Sequence, residues 1–247
     1  MDLKGYKFDT KGDFIKYLYT VICLATKNIK EYERQVKKLE EYIKEKNLVE
    51  RSKRNISAEV YEDFRGVMAN ITGHLSNIFG DGAKFGISYQ NYRKNVRKSE
   101  AKKLSIDYLE LTQKQENELN SITTARNWIN HVPVSLIHSV KQHAFQEAID
   151  PDAPIIIPHF EKYEGVWLVS MYEEDYRDLQ AYKRVFEWIT QDYSKLTGTP
   201  CRILERTIPV RPISDLEIPK ISAGIQHKRI KTIEDIKQHY LELKNED

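Results

Sequence analysis

Leu18, Ile22, Ala25, Ile29, Tyr32, Val36, Leu39 and Ile43 recur at alternating spacings of four and three, between Asp13 and about Lys46, in a stretch without proline or glycine. Apolar residues so spaced share one face of a single long α-helix and have the form of a heptad seam. The seam has two readings: a coiled-coil contact between chains, or the buried face of a helix lying against its own domain. Tyr32 and Ala25 are weak seam residues and favour the second. A second stripe, Val60, Phe64, Val67, Ile71, Leu75 and Ile78, is entered through a cap at Asn55 or Ser57 and stopped by Gly80-Asp81-Gly82. Thr112 and Gln115 have the spacing of a capping box, and Leu119, Ile122, Ala125 and Ile129 continue as a third stripe toward Pro133. Pro133 has no backbone donor and disfavours the helical conformation at Val132, so this helix ends or bends at His131. The helical pattern resumes from Val134 to Ala148.

The pattern breaks at Asp150-Pro151-Asp152-Ala153-Pro154. Beyond it, Ile155-Ile156-Ile157 and Val166-Trp167-Leu168-Val169 read as strands or buried loops. Ser170 and Glu173 form another candidate capping box, opening a helix through Leu179, Tyr182, Phe186 and Ile189 that ends before Gly198. Residues Thr199 to Ile221 read as extended, and a last helix from about Thr232 carries Ile233, Ile236, Tyr240 and Leu243. The predicted fold is mainly α: a helical bundle with a long N-terminal helix over residues 1–148, and a C-terminal α/β-mixed extension over 149–247 with short extended segments and two helices.

Composition narrows the classes. The chain has 247 residues, 40% of them hydrophobic, which is enough for a core and ordinary for a water-soluble protein. The most apolar N-terminal stretch, Phe14 to Ala25, is interrupted by Lys16, is too short to span a bilayer and has no small-residue cleavage site. A cytoplasmic protein without membrane contact is expected. Cys23 and Cys201 are the only cysteines, so no disulfide framework or cysteine zinc site is indicated, and Cys23, inside an apolar pattern, is expected to be a buried thiol. His131, His138 and His143 lack accompanying carboxylates or cysteines at ligand spacing, and no phosphate-cradling glycine loop is present, so neither metal nor cofactor is expected.

The net charge of +2 says little, but its distribution says more. Between Asp81 and Lys103 the chain sets Lys84, Arg93, Lys94, Arg97, Lys98, Lys102 and Lys103 against only Asp81 and Glu100. Within this stretch Tyr92, Arg93, Lys94, Arg97 and Lys98 interleave aromatic and cationic side chains, as an RNA-binding surface would and as a solvated helix face also can.

The run Arg126-Asn127-Trp128-Ile129-Asn130-His131 pairs a permanent cation with a titratable imidazole at a helix end. Cleaving RNA without a metal needs a base for the ribose 2′-hydroxyl, an acid for the departing 5′-oxygen and a guanidinium on the phosphate. Histidine titrates near neutrality and suits both proton transfers. On a straight helix Arg126 and His131 point about 140° apart, and the bend at Pro133 is what would bring them together. Asn127 lies four before His131 and can orient it; Asn130 lies four after Arg126 and can support it. Trp128 reads as a packing residue. Alternatively Arg126 and Asn130 are solvent-facing and His131 caps the helix dipole.

An arginine, a polar residue directly after it and a histidine four to six beyond resembles the HEPN superfamily, over roughly residues 10 to 148. The resemblance implies a helical bundle that forms a homodimer, with two motifs facing a shared cleft, Arg126 on phosphate, His131 in acid–base work and Asn127 beside them. It also implies a metal-independent endoribonuclease that leaves a cyclic phosphate and a 5′-hydroxyl. The setting it implies is a bacterial or mobile-element toxin or abortive-infection (anti-phage defence) component, with an antitoxin or phage-derived trigger as candidate partner. Two other readings stay open: a non-catalytic helical module that binds RNA, nucleotide or protein, and a coiled-coil interaction protein.

Overall fold

The computed structural model of the chain describes residues 6–83, 86–98, 103–130, 154 and 160–207, with backbone alone for 128–130. The long helix, α1, runs Lys11–Glu45. Thr10 starts it with a capping box: its backbone N–H donates to Asp13 Oδ2 at 2.8 Å while its hydroxyl accepts from Asp13 N at 3.3 Å. The Thr10 hydroxyl also donates to Asp13 Oδ2 at 2.8 Å, and this bond, with that from the backbone N–H, holds the Asp13 carboxyl below the ordinary aspartate range. The helix ends in a Schellman motif. Asn47 takes the left-handed conformation, φ 52°, its N–H bonds Lys44 O, and Leu48 N bonds Ile43 O at 3.0 Å. Leu48 and Ile43 are both buried, which adds the apolar contact typical of that motif.

A short strand β1, Asn55–Ser57, leads into α2, Ala58–Gly80. Then come α3, Tyr89–Val96, and α4, Gln113–Asn130. Strand β2, Lys162–Glu164, pairs antiparallel with β1, Ile56 opposite Tyr163, and α5 follows directly at Gly165–Thr197. Among the described residues the fold is thus five helices and one two-stranded ribbon, mainly α as the periodicity predicts. No described helix is long and apolar enough to cross a membrane.

All eight heptad positions of α1 are buried, together with Phe14, Tyr17 and Val21. They are covered by the chain's own α5, α2 and α3, so the seam is the interior of one bundle and is closed to a coiled-coil partner. Helix α5 lies antiparallel to α1: Leu48 sits against Gly165, Tyr32 against Asp175 and Tyr182, and Glu33 pairs with Lys183 at 2.6 Å. Cys23, one residue past Ile22 and off the seam, is exposed rather than buried. On α2, Val67 likewise faces out and Met68 takes the inward place, because the stripe drifts as 3.6 residues per turn requires.

The run Val166–Val169, read above as a strand or buried loop, is the first turn of α5. Its residues point in different directions: Leu168 is buried while Val166 and Trp167 are exposed. The orphan N–H groups at this helix start find carbonyls in the turn before β1, Gly165 N on Arg54 O at 2.8 Å and Val166 N on Ser52 O at 3.0 Å. That external satisfaction lets the helix begin five residues before the Ser170 cap expected from sequence. The chain divides into two compact units, Met1–Cys201 and Arg202–Asp247; described residues 202–207 of the second form neither helix nor strand. The expected helices at Val134–Ala148 and from Thr232, and the run Ile155–Ile157, lie outside the described residues.

Two glycines of α2 make a test of helix packing. A Cβ on Gly80 would stand 3.0 Å from the backbone of Thr123 on α4, whereas one on Gly66 would meet nothing within 4 Å. Alanine at a free helical site stabilises by about 0.5–1 kcal/mol. At Gly80 it must push two helix backbones apart, costing about 1–3 kcal/mol. Urea unfolding should therefore show Gly66→Ala moving the midpoint up and Gly80→Ala moving it down; the same sign for both would contradict the close crossing.

Candidate functional site

The helix carrying the arginine motif starts as the sequence reading expects. Thr112 N donates to Gln115 Oε1 at 2.8 Å and Gln115 N to Thr112 Oγ1 at 3.4 Å. Leu119 and Ile122 are buried against α2, and Arg126 is the next residue on that face. The antiparallel crossing at Gly80 and Thr123 therefore carries Arg126 to the C-terminal end of α2.

There the guanidinium is held on every nitrogen. Nε donates to Asn77 Oδ1 at 3.0 Å, Nη1 to Asn127 Oδ1 at 3.2 Å, and Nη2 lies 3.2 Å from Asp81 Oδ1. The Arg126 side chain is 20% exposed and that of Asp81 15%, so the pair sits at the protein edge with one side in water. Asn77 and Asp81 are four apart at the end of one helix, where the exposed carbonyls of the helix terminus also favour a cation. Asn127 is exposed. Of Asn130 only the backbone is described, and His131 lies outside the described residues.

Asp81 opens a loop that is itself pinned. Its carboxylate accepts from Ala83 N at 2.9 Å, and its carbonyl accepts the Ser88 hydroxyl. The Tyr17 hydroxyl donates to Gly86 O at 3.0 Å and accepts from Ser88 N at 2.9 Å; Asn91 Nδ2 donates to the same carbonyl at 3.1 Å. A Cβ on Gly86 would stand 2.4 Å from Asp81 Oδ2, so a side chain there must displace the carboxylate that meets Arg126. Lys94 Nζ then reaches Gly82 O at 3.2 Å, bringing one cation of the basic segment to the loop that holds Arg126.

The rest of that segment divides in two. Lys94, Arg97 and Lys98 are exposed, but Tyr92 and Arg93 are 0% and 2% exposed and offer no surface to RNA. They belong to the core because Ser88 caps α3, accepting from Asn91 N at 3.0 Å, and so turns Tyr89, Tyr92, Arg93 and Val96 inward together. Arg93 is neutralised by a buried carboxylate: Nη1 lies 3.1 Å from Asp192 Oδ2, which also accepts the Tyr89 hydroxyl at 2.6 Å. Burial raises the Asp192 carboxyl above the usual range, opposed by the Tyr89 hydrogen bond and the charge of Arg93. Arg97 is paired with Glu116, so Lys94 and Lys98 are the segment's exposed cations without a carboxylate partner among the described residues.

The structure brings the expected site residues Arg126, Asn127 and Lys94 to one loop, and it adds Asn77, Asp81, Gly86 and Tyr17, which hold that loop and the guanidinium and were not singled out as site residues by the sequence. A signal was available in Asn77, Gly80 and Asp81: a small residue flanked by polar ones on a single helical turn marks a close crossing with polar groups at its rim.

The split of the basic segment gives a stability test. Removing Arg93 strands Asp192 in the interior, and breaking a buried pair from one side costs about 3–5 kcal/mol. An exposed lysine changes stability by no more than about 0.5 kcal/mol. Thermal melts should accordingly show a large loss for Arg93→Ala and almost none for Lys98→Ala; equal small losses would put Arg93 back on the surface. No family model, curated protein or solved structure matches the chain.

Proposed function

We propose that the protein is a metal-independent endoribonuclease of HEPN type, working in the cytoplasm as a homodimer, with Arg126 on the scissile phosphate and His131 moving the proton. The observation that carries the reading is the arginine corner: Asn77, Asp81 and Asn127 orient Arg126 at a partly exposed edge, and Lys94 reaches the same loop. A guanidinium held in place before substrate arrives loses little freedom on binding phosphate, which is where positioned cations gain their effect. In the reaction the 2′-oxygen bonds to phosphorus as the base takes its proton. The bond from phosphorus to the 5′-oxygen breaks as that oxygen is protonated, leaving a 2′,3′-cyclic phosphate and a 5′-hydroxyl. A toxin or abortive-infection role in bacterial or mobile-element defence, restrained by an antitoxin or released by a phage-derived trigger, is the setting that the resemblance suggests.

One observation favours a second reading, a non-catalytic RNA-binding module. Asp81 already balances the charge of Arg126. Phosphate must then compete with a carboxylate for the same fork.

Purified protein incubated with mixed RNA in chelator separates the two. Under the nuclease reading the wild type produces cyclic-phosphate ends, and Arg126→Ala and His131→Ala each lower the rate by about 100-fold or more. His131→Ala should keep its RNA affinity. Cleavage that survives both substitutions, or stops in chelator, would defeat the proposal. An inert wild type that still retains RNA, less well after Lys94→Ala and Lys98→Ala and less well in salt, would establish the module instead.

A further inference from the structure

A cleft of about 310 Å³ opens between α2 and the first half of α5. Two facing stripes at helical spacing form it, Tyr61, Arg65, Met68 and Thr72 on one side and Trp167, Met171, Glu174 and Asp178 on the other, with Asp175 also in its lining. Three carboxylates thus share this space with a single arginine. Among the described residues none of the three forms an ion pair, and Arg65 is turned toward Glu62 at 3.7 Å. The volume is at the lower end of small-molecule sites.

We infer that this cleft binds an aliphatic polyamine, a linear cation whose ammonium groups meet the Trp167 face and the carboxylates of Glu174, Asp175 and Asp178 and whose methylene chain lies along Met171 and Met68. Three features select that class over others. The carboxylates do not gather into a group able to hold a metal ion, which favours separated ammonium charges over one compact cation. Trp167 is 55% exposed at the cleft, and a tryptophan face attracts an alkylammonium group. Nucleic acid is repelled by the same charges, so the site is separate from the arginine corner and independent of the nuclease reading.

The surroundings of Asp175 show what an occupant would relieve. Its carboxylate accepts the Tyr32 hydroxyl at 2.5 Å from α1, and that hydrogen bond favours the charged form. Burial nevertheless pushes the carboxyl up to about 6, with Asp178 and Glu174 adding repulsion on its own helix. Across the cleft Arg65 is the facing cation on α2, and Tyr182 is the neighbouring hydroxyl on α5. A bound ammonium supplies the missing opposite charge, so affinity falls as pH drops through 6 and Asp175 takes up a proton.

Isothermal titration of the full chain with spermidine tests this, against n-butylamine, Mg²⁺ and an oligolysine peptide. Expected is one saturable spermidine site at least tenfold tighter than n-butylamine. Glu174→Gln, Asp178→Asn and Trp167→Ala should each weaken it by about threefold, as partly exposed ion pairs and a cation–π contact do. The double carboxylate variant should weaken it by about tenfold, and Asp63→Asn, on α2 outside the cleft lining, should change nothing. Unchanged circular dichroism confirms that each variant folds. Absent saturation, affinity indifferent to the double variant, or tighter binding of Mg²⁺ or oligolysine than of spermidine would overturn the assignment.

Discussion

The fold depends on covering one apolar stripe. Helix α1 is 35 residues long and exposes its seam to water unless other helices lie along most of its length. At about 1.5–3 kcal/mol for each large side chain buried, leaving that seam bare would cost more than a domain's whole net stability. Helix α5 answers by running antiparallel along α1, from Leu48 against Gly165 to Tyr32 against Tyr182. The β1–β2 ribbon makes the arrangement possible, since it ties the chain before α5 to the chain before α2. With α1 and α5 fixed, α2 packs alongside both. Its length then sets two separate places: the acidic cleft beside its first turns and the arginine corner at its last.

The corner inherits its rigidity from that arrangement through a few polar links. Tyr17 leaves the buried seam of α1 to bond the backbone at Gly86 and Ser88, so the loop that carries Asp81 is anchored to the longest helix. Asp192 does the same from α5, joining Tyr89, Arg93 and the backbone of Leu109 around one carboxylate. That junction places α3 and the chain leading into α4 relative to α5. Arg184 adds a bond from α5 to Glu118 on α4, at 2.9 and 2.6 Å. Arg126 thus stands on a helix positioned from three directions.

What the sequence reveals follows the range of the forces involved. The seam of α1, the Thr112–Gln115 box and the stop at Gly80 are local patterns, repeated or contained within four residues, and all are legible. Arg93 is not. Its neighbours Tyr92 and Lys94 make the same alternation on a surface as in a core, and the deciding partner, Asp192, is 99 residues away. Val166–Val169 misleads for a related reason: four apolar residues in a row satisfy a strand or a helix start, and distant carbonyls at Ser52 and Arg54 decide between them. Cys23 shows the limit of reading an apolar neighbourhood without its angle, since one position past Ile22 is enough to leave the buried face. In the candidate site, the arginine was visible through its motif, but its anchors at Asn77 and Asp81 become neighbours only through the helix crossing.

The two polar places along α2 also differ in how they are balanced. At the corner, cation and carboxylate are matched: Arg126 meets Asp81 and sits where the α2 terminus presents carbonyls. At the cleft, the balance is missing. A carboxyl lifted to about 6 in the folded chain holds its proton more tightly than in the unfolded chain. Its contribution to stability is therefore unfavourable above pH 6 and is relieved as pH falls through 6 toward the unfolded value. Substituting asparagine for Asp175 would relieve it at all pH values while keeping the shape of the side chain and an acceptor for the Tyr32 hydroxyl. Among the described residues Glu174, Asp175 and Asp178 thus lack the counter-charge that Arg126 already has in Asp81, and a phosphate that reaches Arg126 must first displace that carboxylate.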